Sequence, residues 1–188
     1  MKKNIGTQLT LYPTPAVVVG AKVNGSIDWT LVAHIGIVAH DRLLVSLFGK
    51  HHINAGIKEQ GHFSLNIVTE NYLDRADYCG IVSGAKADKS GVFKYIESEF
   101  GSPIIDDARL TIDCKVEDIY ECNGFENFIC SVNATYADEN ILDENGKIDY
   151  NVYKPVLFEF PTYQYLRTGD VIGHCTDLGK KLKDEKGA

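Results

Sequence analysis

In 188 residues the sequence has one tryptophan, one methionine, five prolines and five cysteines. The cysteines (Cys79, Cys114, Cys122, Cys130, Cys175) are odd in number and widely spaced, with no CxxC pair. Zinc-ribbon and thioredoxin-like readings fail on that spacing, and reduced thiols in a cytoplasmic protein are the simplest account. No run approaches the roughly 18 to 20 apolar residues of a membrane span. The opening MKKNIGTQLTLYPTP has the lysines of a signal peptide, but Pro13 arrives before an apolar stretch of the needed length. GxGxxG, GxSxG and HExxH are all missing. With them go the sequence arguments for a Rossmann nucleotide site, a hydrolase nucleophile elbow and a zinc-protease helix. Positive charge is in deficit too. Nineteen Lys and Arg against 26 Asp and Glu leave a net −7, so nucleic acid is not an expected partner, because an acidic surface releases no phosphate counterions.

What is present describes a globular protein: 44% apolar and 24% charged residues, in a length that fits one domain over 1–188. The run Ala16-Val17-Val18-Val19 predicts a strand over 15–23, closed by the tight-turn pair Asn24-Gly25. A second β-rich stretch is expected over 43–48, after the segment 30–38 and a turn at His40-Asp41. A short helix is expected over 52–60, stopped by Gly61. Phe63, Leu65 and Ile67 alternate with Ser64 and Asn66, the pattern of a half-buried strand. Asn71 is a candidate cap for a helix running toward Tyr78, with Gly80 and Gly84 breaking it. Leu110, Ile112, Cys114 and Val116 alternate with Thr111, Asp113, Lys115 and Glu117. Beyond Asn123-Gly124, Phe128, Cys130, Val132 and Ala134 repeat the period. This predicts an antiparallel hairpin with one wet face and one buried face, Cys114 and Cys130 acting as small inner hydrophobes. The polar segment 137–151 reads as a surface excursion, 155–160 as another strand, and the tail from Leu178 as a charged helix end or disordered chain. Many short strands with few short helices indicate a mainly β barrel or sandwich.

Few residues carry chemistry on their own. Cys79, in DYCGIVSG, is better read as a packed thiol than as a nucleophile. Adjacent His51 and His52 point in different directions on any regular element, so one metal ion cannot easily take both; no metal site is expected. The stretch from Ser46 to His52 brings a hydroxyl, a glycine, an ammonium and two imidazoles to a strand end and helix start. Phosphate suits such donors and the free N–H groups of a helix amino terminus, although a solvated basic turn has the same composition. VSGAKADKS, residues 82–90, could also hold an anion and, read alone, is an exposed loop.

At these places the chain resembles the flavin reductase-like, FMN-binding split-barrel family, in particular its flavoredoxin-type members. The matching pieces are PTPAVVVGAKVNG, VSLFGKHH with Ile57 following, EQGHFSLNI, DYCGIVSGAKADKS and YLRTGDVIG. They cover roughly residues 10–182 in the family's order and spacing. The resemblance implies a split β-barrel with Greek-key connections, a few short flanking helices, and non-covalent FMN near a homodimer interface. It implies that Thr30, Leu31, Val32 and Ala33 lie along the isoalloxazine. Ser46, Leu47, Phe48, Lys50, His52, Ile53 and Asn54 would take the ribityl chain and phosphate. Ile53 stands where a threonine is common, with Asn54 as its compensating polar group. Lys89 would reach the cofactor, and Tyr165 matches an aromatic position close to the ring.

The implied activity is electron transfer from NAD(P)H through bound FMN to a flavin, metal or small acceptor. The chemistry resides in the cofactor, so no protein side chain is assigned as catalytic. The alternative is an FMN-bound electron carrier between partner proteins, without direct NAD(P)H oxidation.

Overall fold

The computed structural model describes residues 1–186. β1 (Thr14–Pro15) and β2 (Val17–Val23) are separate strands where the pattern predicts one. The break is at Ala16, whose N–H donates to Val156 O and whose C=O accepts from Val68 N, both at 3.0 Å. The backbone therefore leaves one sheet for another there. Asn24 and Gly25, at φ 50° and 82°, make the turn into β3 (Ser26–Val32). β4 (Ile35–Ala39) and β5 (Arg42–Phe48) form a hairpin around His40-Asp41. α1 (Ile53–Gln60) stops at Gly61, whose left-handed φ of 74° returns its N–H to Ile57 O. Then follow β6 (His62–Ile67), a short 3-10 turn at Glu70–Tyr72, and α2 (Leu73–Ile81). β7 (Tyr95–Glu97) and β8 (Pro103–Ile105) pair with each other, and β9 (Leu110–Cys122) and β10 (Phe125–Ala137) make the long hairpin. β11 (Val156–Glu159), β12 (Gln164–Arg167) and α3 (Asp177–Lys186) complete the chain.

Seven strands form one antiparallel sheet in the order β3-β2-β6-β9-β10-β5-β4. The chain passes from one edge strand, β3, to the other, β4, through Ala33 and His34 alone. So short a link spans roughly 10 Å, and the sheet must curl until its edges come together there. The result is a barrel, split because β3 and β4 share no ladder among the described residues. The β5-to-β6 connection, carrying α1, crosses to a non-neighbouring position in the Greek-key manner.

Val17, Val19, Val45, Leu47, Phe63 and Phe128 fill the barrel interior. A second cluster, with Val18, Trp29, Tyr72, Ala76 and Phe93, lies between the barrel wall and α2. β2 is thus buried on both faces, which accounts for its unbroken valine run. The same covering overturns two expectations. Ser64 and Asn66 of β6 are wholly buried, not half-wet. Asn66 donates to Val18 O (3.1 Å) and accepts from Ile105 N (2.9 Å) and Thr111 Oγ1 (3.0 Å). Thr111 and Asp113 of β9 are equally buried, Asp113 accepting from Ser98 Oγ and, at 3.1 Å, from Asn133 Nδ2.

The β10 pattern is also corrected. Register shifts between Ile129 and Cys130 and between Val132 and Ala134 interrupt the alternation. Phe128 and Cys130 stay inside while Val132 is 43% exposed. Asn71 does not cap α2, which starts at Leu73 and runs through Gly80. Glycine suits that position because Leu31 packs against it, 3.2 Å from where a Cβ would stand. The 137–151 excursion is pinned by a 3-10 turn at Glu139–Ile141, with Ile141 fully buried in the barrel core. Among the described residues no helix is long and apolar enough to cross a membrane, and no cluster of His, Cys, Asp or Glu is placed to hold a metal ion.

Candidate functional site

Where the two sheet edges meet, a cavity of about 430 Å³ opens beside Ala33 and His34. Leu31, Val32 and Ala33 at the end of β3 form one wall, and Ser46, Leu47 and Phe48 at the end of β5 another. Asp77, Gly80 and Ile81 face it from α2, at the i, i+3, i+4 spacing that shares one helix face. Phe158, Phe160, Tyr163 and Tyr165, from β11, β12 and their turn, add aromatic rings, with Phe125 opposite. The rings contact at tilted angles: Phe158 to Tyr165 at 5.3 Å, Phe160 to Tyr163 at 5.1 Å, Phe160 to His34 at 5.1 Å between centroids. Tyr165 donates to Asp77 Oδ1 at 2.5 Å, and burial with the neighbouring carboxylate pushes its phenol well above the ordinary tyrosine range.

A polar pocket of about 220 Å³ continues from this cavity, sharing Phe48, His51, Gly80 and Ile81 with it. Thr30, Lys50, His51, His52 and Ile53 line it from β3 and the start of α1. Ser83, Gly84 and Lys89 line it from the loop after α2, and Asp28 from β3. No side chain caps α1 at its amino terminus, which lies beside the pocket; Asn54 N and Ala55 N donate instead to His51 O (3.2 Å) and His52 O (3.4 Å). Burial, reinforced by the Lys89 charge, lowers the His51 imidazole below the usual range, and Thr30 Oγ1 lies 3.4 Å from its Nδ1. The hollow is therefore long, apolar at one end and polar at the other, where two lysines, a carboxylate, two imidazoles and the hydroxyls of Thr30 and Ser83 gather.

Of the residues singled out in the sequence, Leu31, Val32, Ala33, Ser46, Leu47, Phe48 and Tyr165 line the apolar cavity. Thr30, Phe48, Lys50, His52, Ile53 and Lys89 line the polar pocket. Asn54 lines neither. Its Nδ2 donates to Phe48 O (3.1 Å) and Glu126 Oε2 (2.7 Å), behind the strand end. Lys89 lies at the pocket but is turned into β3, bonded to Trp29 O and paired with Asp28. His34, Asp77, Ile81, Phe125, Phe158, Phe160 and Tyr163 are lining residues that strand and motif reading did not single out as binding residues. The only local signals were the aromatic density of LFEFPTYQY and the helical spacing of Asp77, Gly80 and Ile81.

Residues 9–167 match the model of the flavin reductase like domain. The chain belongs to that flavin reductase-like family. It is 31% identical to a flavoredoxin from Methanosarcina acetivorans, with a TM-score of 0.90 over 97% of this chain and 99% of that one. It is 28% identical to the flavoredoxin of Desulfovibrio vulgaris (Miyazaki F), with a TM-score of 0.89 over 95% of this chain and 100% of that one. An FMN-binding protein from Thermus thermophilus shares the fold at 19% identity and a TM-score of 0.77, over 93% of this chain and 98% of that one. An uncharacterized Aeropyrum pernix protein is 23% identical over 154 residues, and the chain spans 58% of that relative's length.

Within this flavin reductase-like domain the hollow suits a flat heteroaromatic ring joined to an anion. The apolar cavity supplies ring faces and the strand edge of β3, and the polar pocket supplies charge-assisted donors. Cys79 also reaches the polar pocket, but it is buried and its thiol is pushed up to about 11 by desolvation. Burial and a raised thiol are the character of a packing group.

Proposed function

We propose that this chain binds FMN in the two-part hollow and acts as an NAD(P)H-dependent oxidoreductase, delivering electrons to a flavin, a metal centre or a small acceptor. The observation that supports this most is the continuity of the aromatic cavity with the cationic pocket, meeting at Phe48, His51, Gly80 and Ile81. Leu31 to Ala33 and the aromatic rings of the β11–β12 region would hold the isoalloxazine. Lys50, His51, His52 and Ser83 would hold the phosphate. Bound FMN supplies the two-electron, hydride-accepting chemistry. The protein's part is to orient the ring, exclude water with Phe158, Phe160 and Tyr163, and fix a proton on the Tyr165 hydroxyl beside Asp77. Free cysteines throughout suit a reducing cytoplasm.

The same reading includes a homodimer. An apolar groove of about 630 Å³ adjoins the cavity and shares Ala33, His34, Ser46, Phe125 and Phe160 with it. Leu9 and Leu11, which line that groove, are strongly exposed, an arrangement a second copy would cover. Leu11→Asp should then shift the protein to a monomer in analytical ultracentrifugation.

The function is tested by an absorption spectrum of the purified protein with FMN, followed by anaerobic NADH or NADPH. Rapid bleaching of bound flavin is the expected result. Bound flavin that stays oxidised would replace the reductase by the carrier reading, to which the net −7 surface lends support through steering to basic partners. Failure to bind FMN overturns both.

A further inference from the structure

At the polar end of the hollow the carboxylate of Asp28 is only 5% exposed and meets three donors. Trp29 N (2.8 Å) and Lys89 Nζ (3.0 Å) reach Oδ1, and His52 Nδ1 lies 2.9 Å from Oδ2. Lys89 is itself 3% exposed and donates in addition to Trp29 O. An ammonium has three N–H groups, and two are thus committed to β3. The backbone of Gly84 closes over the other side, so near that a Cβ there would stand 2.2 Å from Asp28 Oδ2. The buried cation that this pocket would offer to an anion is therefore already neutralised by a buried anion of the protein. Lys50, exposed at the pocket's rim, is the lysine there with no ion-pair partner among the described residues.

We propose that Asp28 is a positioning residue that sets how tightly the pocket grips a phosphoryl group, by competing with the ligand's phosphate for Lys89 and His52. The proposal rests on the FMN reading above. Its consequence is weak selection for the phosphorylated flavin: the ring is held by the cavity, while the phosphate meets a lysine whose charge is cancelled within 3.0 Å. Such a site favours FMN over riboflavin only by what Lys50 and the uncharged donors add, with no contribution from Lys89.

Asp28→Asn tests this with little change of shape. The amide oxygen can still accept from Trp29 N and Lys89, and the amide nitrogen can donate to an unprotonated His52 Nδ1. The change removes one negative charge beside the phosphate and leaves Lys89 to be neutralised by the ligand. Titrations of the full chain with FMN and with riboflavin, followed by quenching of flavin fluorescence, should show FMN binding about tenfold tighter, or 1.4 kcal/mol, with riboflavin unchanged. A variant that tightens both flavins equally, or leaves their ratio as it was, overturns the role of Asp28.

Should Asp28→Asn fail to fold, Asp28→Asn with Lys89→Met removes both charges and leaves no unpaired ion. Its FMN-to-riboflavin ratio should equal that of the wild type, because Lys89 is neutralised there already. A collapse of that ratio would show that Lys89 serves the phosphate in the presence of Asp28, and the proposal would fall. Wild-type protein that binds neither flavin is a different outcome, which refutes the cofactor reading itself and this inference with it.

Discussion

The hydroxyl of Tyr165 on β12 donates to the carboxylate of Asp77 on α2 at 2.5 Å, tying the aromatic hairpin to the helix across the mouth of the apolar cavity. Their separation of 88 residues makes this a purely tertiary contact. It holds Tyr165 beside Phe158 and gives the half-buried carboxylate a donor in a place where water is restricted.

Tyr165→Phe keeps the ring and deletes the donor. The expected cost is about 1 kcal/mol of unfolding free energy, as for a single hydrogen bond to a partly exposed carboxylate, read from the urea midpoint. The phenol's folded-state pKa is raised, so its contribution is fully present below the unfolded value near 10 and is lost as pH rises above it. Tyr72 and Tyr153 are raised by burial as well. The variant should therefore lose less stability than wild type on going above pH 10, without abolishing the alkaline decline.

Two lysines of the same pocket should behave oppositely. Lys89→Ala leaves Asp28 buried without its ion-pair partner, and removing one member of a buried pair costs roughly 3–5 kcal/mol. Lys50 is exposed and has no ion pair among the described residues. Lys50→Ala should weaken FMN binding while leaving the melting temperature nearly unchanged. Equal destabilisation by both variants would contradict the burial described for Lys89.

Thiol chemistry should divide by exposure. Cys79, Cys114 and Cys130 are buried, Cys122 and Cys175 exposed. Burial pushes Cys79 up to about 11 and Cys130 to about 12. An aromatic disulfide reagent at pH 8 should titrate two thiols quickly in the native protein and all five after denaturation. Cys79→Ser should leave flavin reduction intact. A rapid third thiol matched to Cys79 would reopen the nucleophile reading.

Much of the barrel can be read locally. Asn24-Gly25, Asn123-Gly124 and Gly61 end elements because positive φ is inexpensive for them, a property of single residues. The alternation in β6 and β9 is equally local. Which face lies against another layer is not: Ser64, Asn66, Thr111 and Asp113 are polar and yet buried, because their partners come from distant segments. The register shifts of β10 likewise depend on its pairing with β9, and no composition signal marks them.

The site divides in the same way. Ser46 to His52 stands out in the sequence as a cluster of anion donors, whereas the 82–90 segment with Lys89 reads alone as an exposed loop and Tyr165 is reached only through family resemblance. By itself, the sequence determined β2, β5, β6, β9, β10 and β11, the turns that close them, the short helix after β5 and the stock of donors beside it, since each follows from backbone preference or residue chemistry within a few positions; the edge strands β3 and β4 and the short β7, β8 and β12 carry no such local signal. The tertiary structure alone decided that Lys89 is neutralised by Asp28, that Asn54 turns away, and that Asp77 and the rings of residues 158–165 wall the cavity. Those outcomes depend on charges and surfaces brought together by the curling of the sheet, and no local preference encodes them.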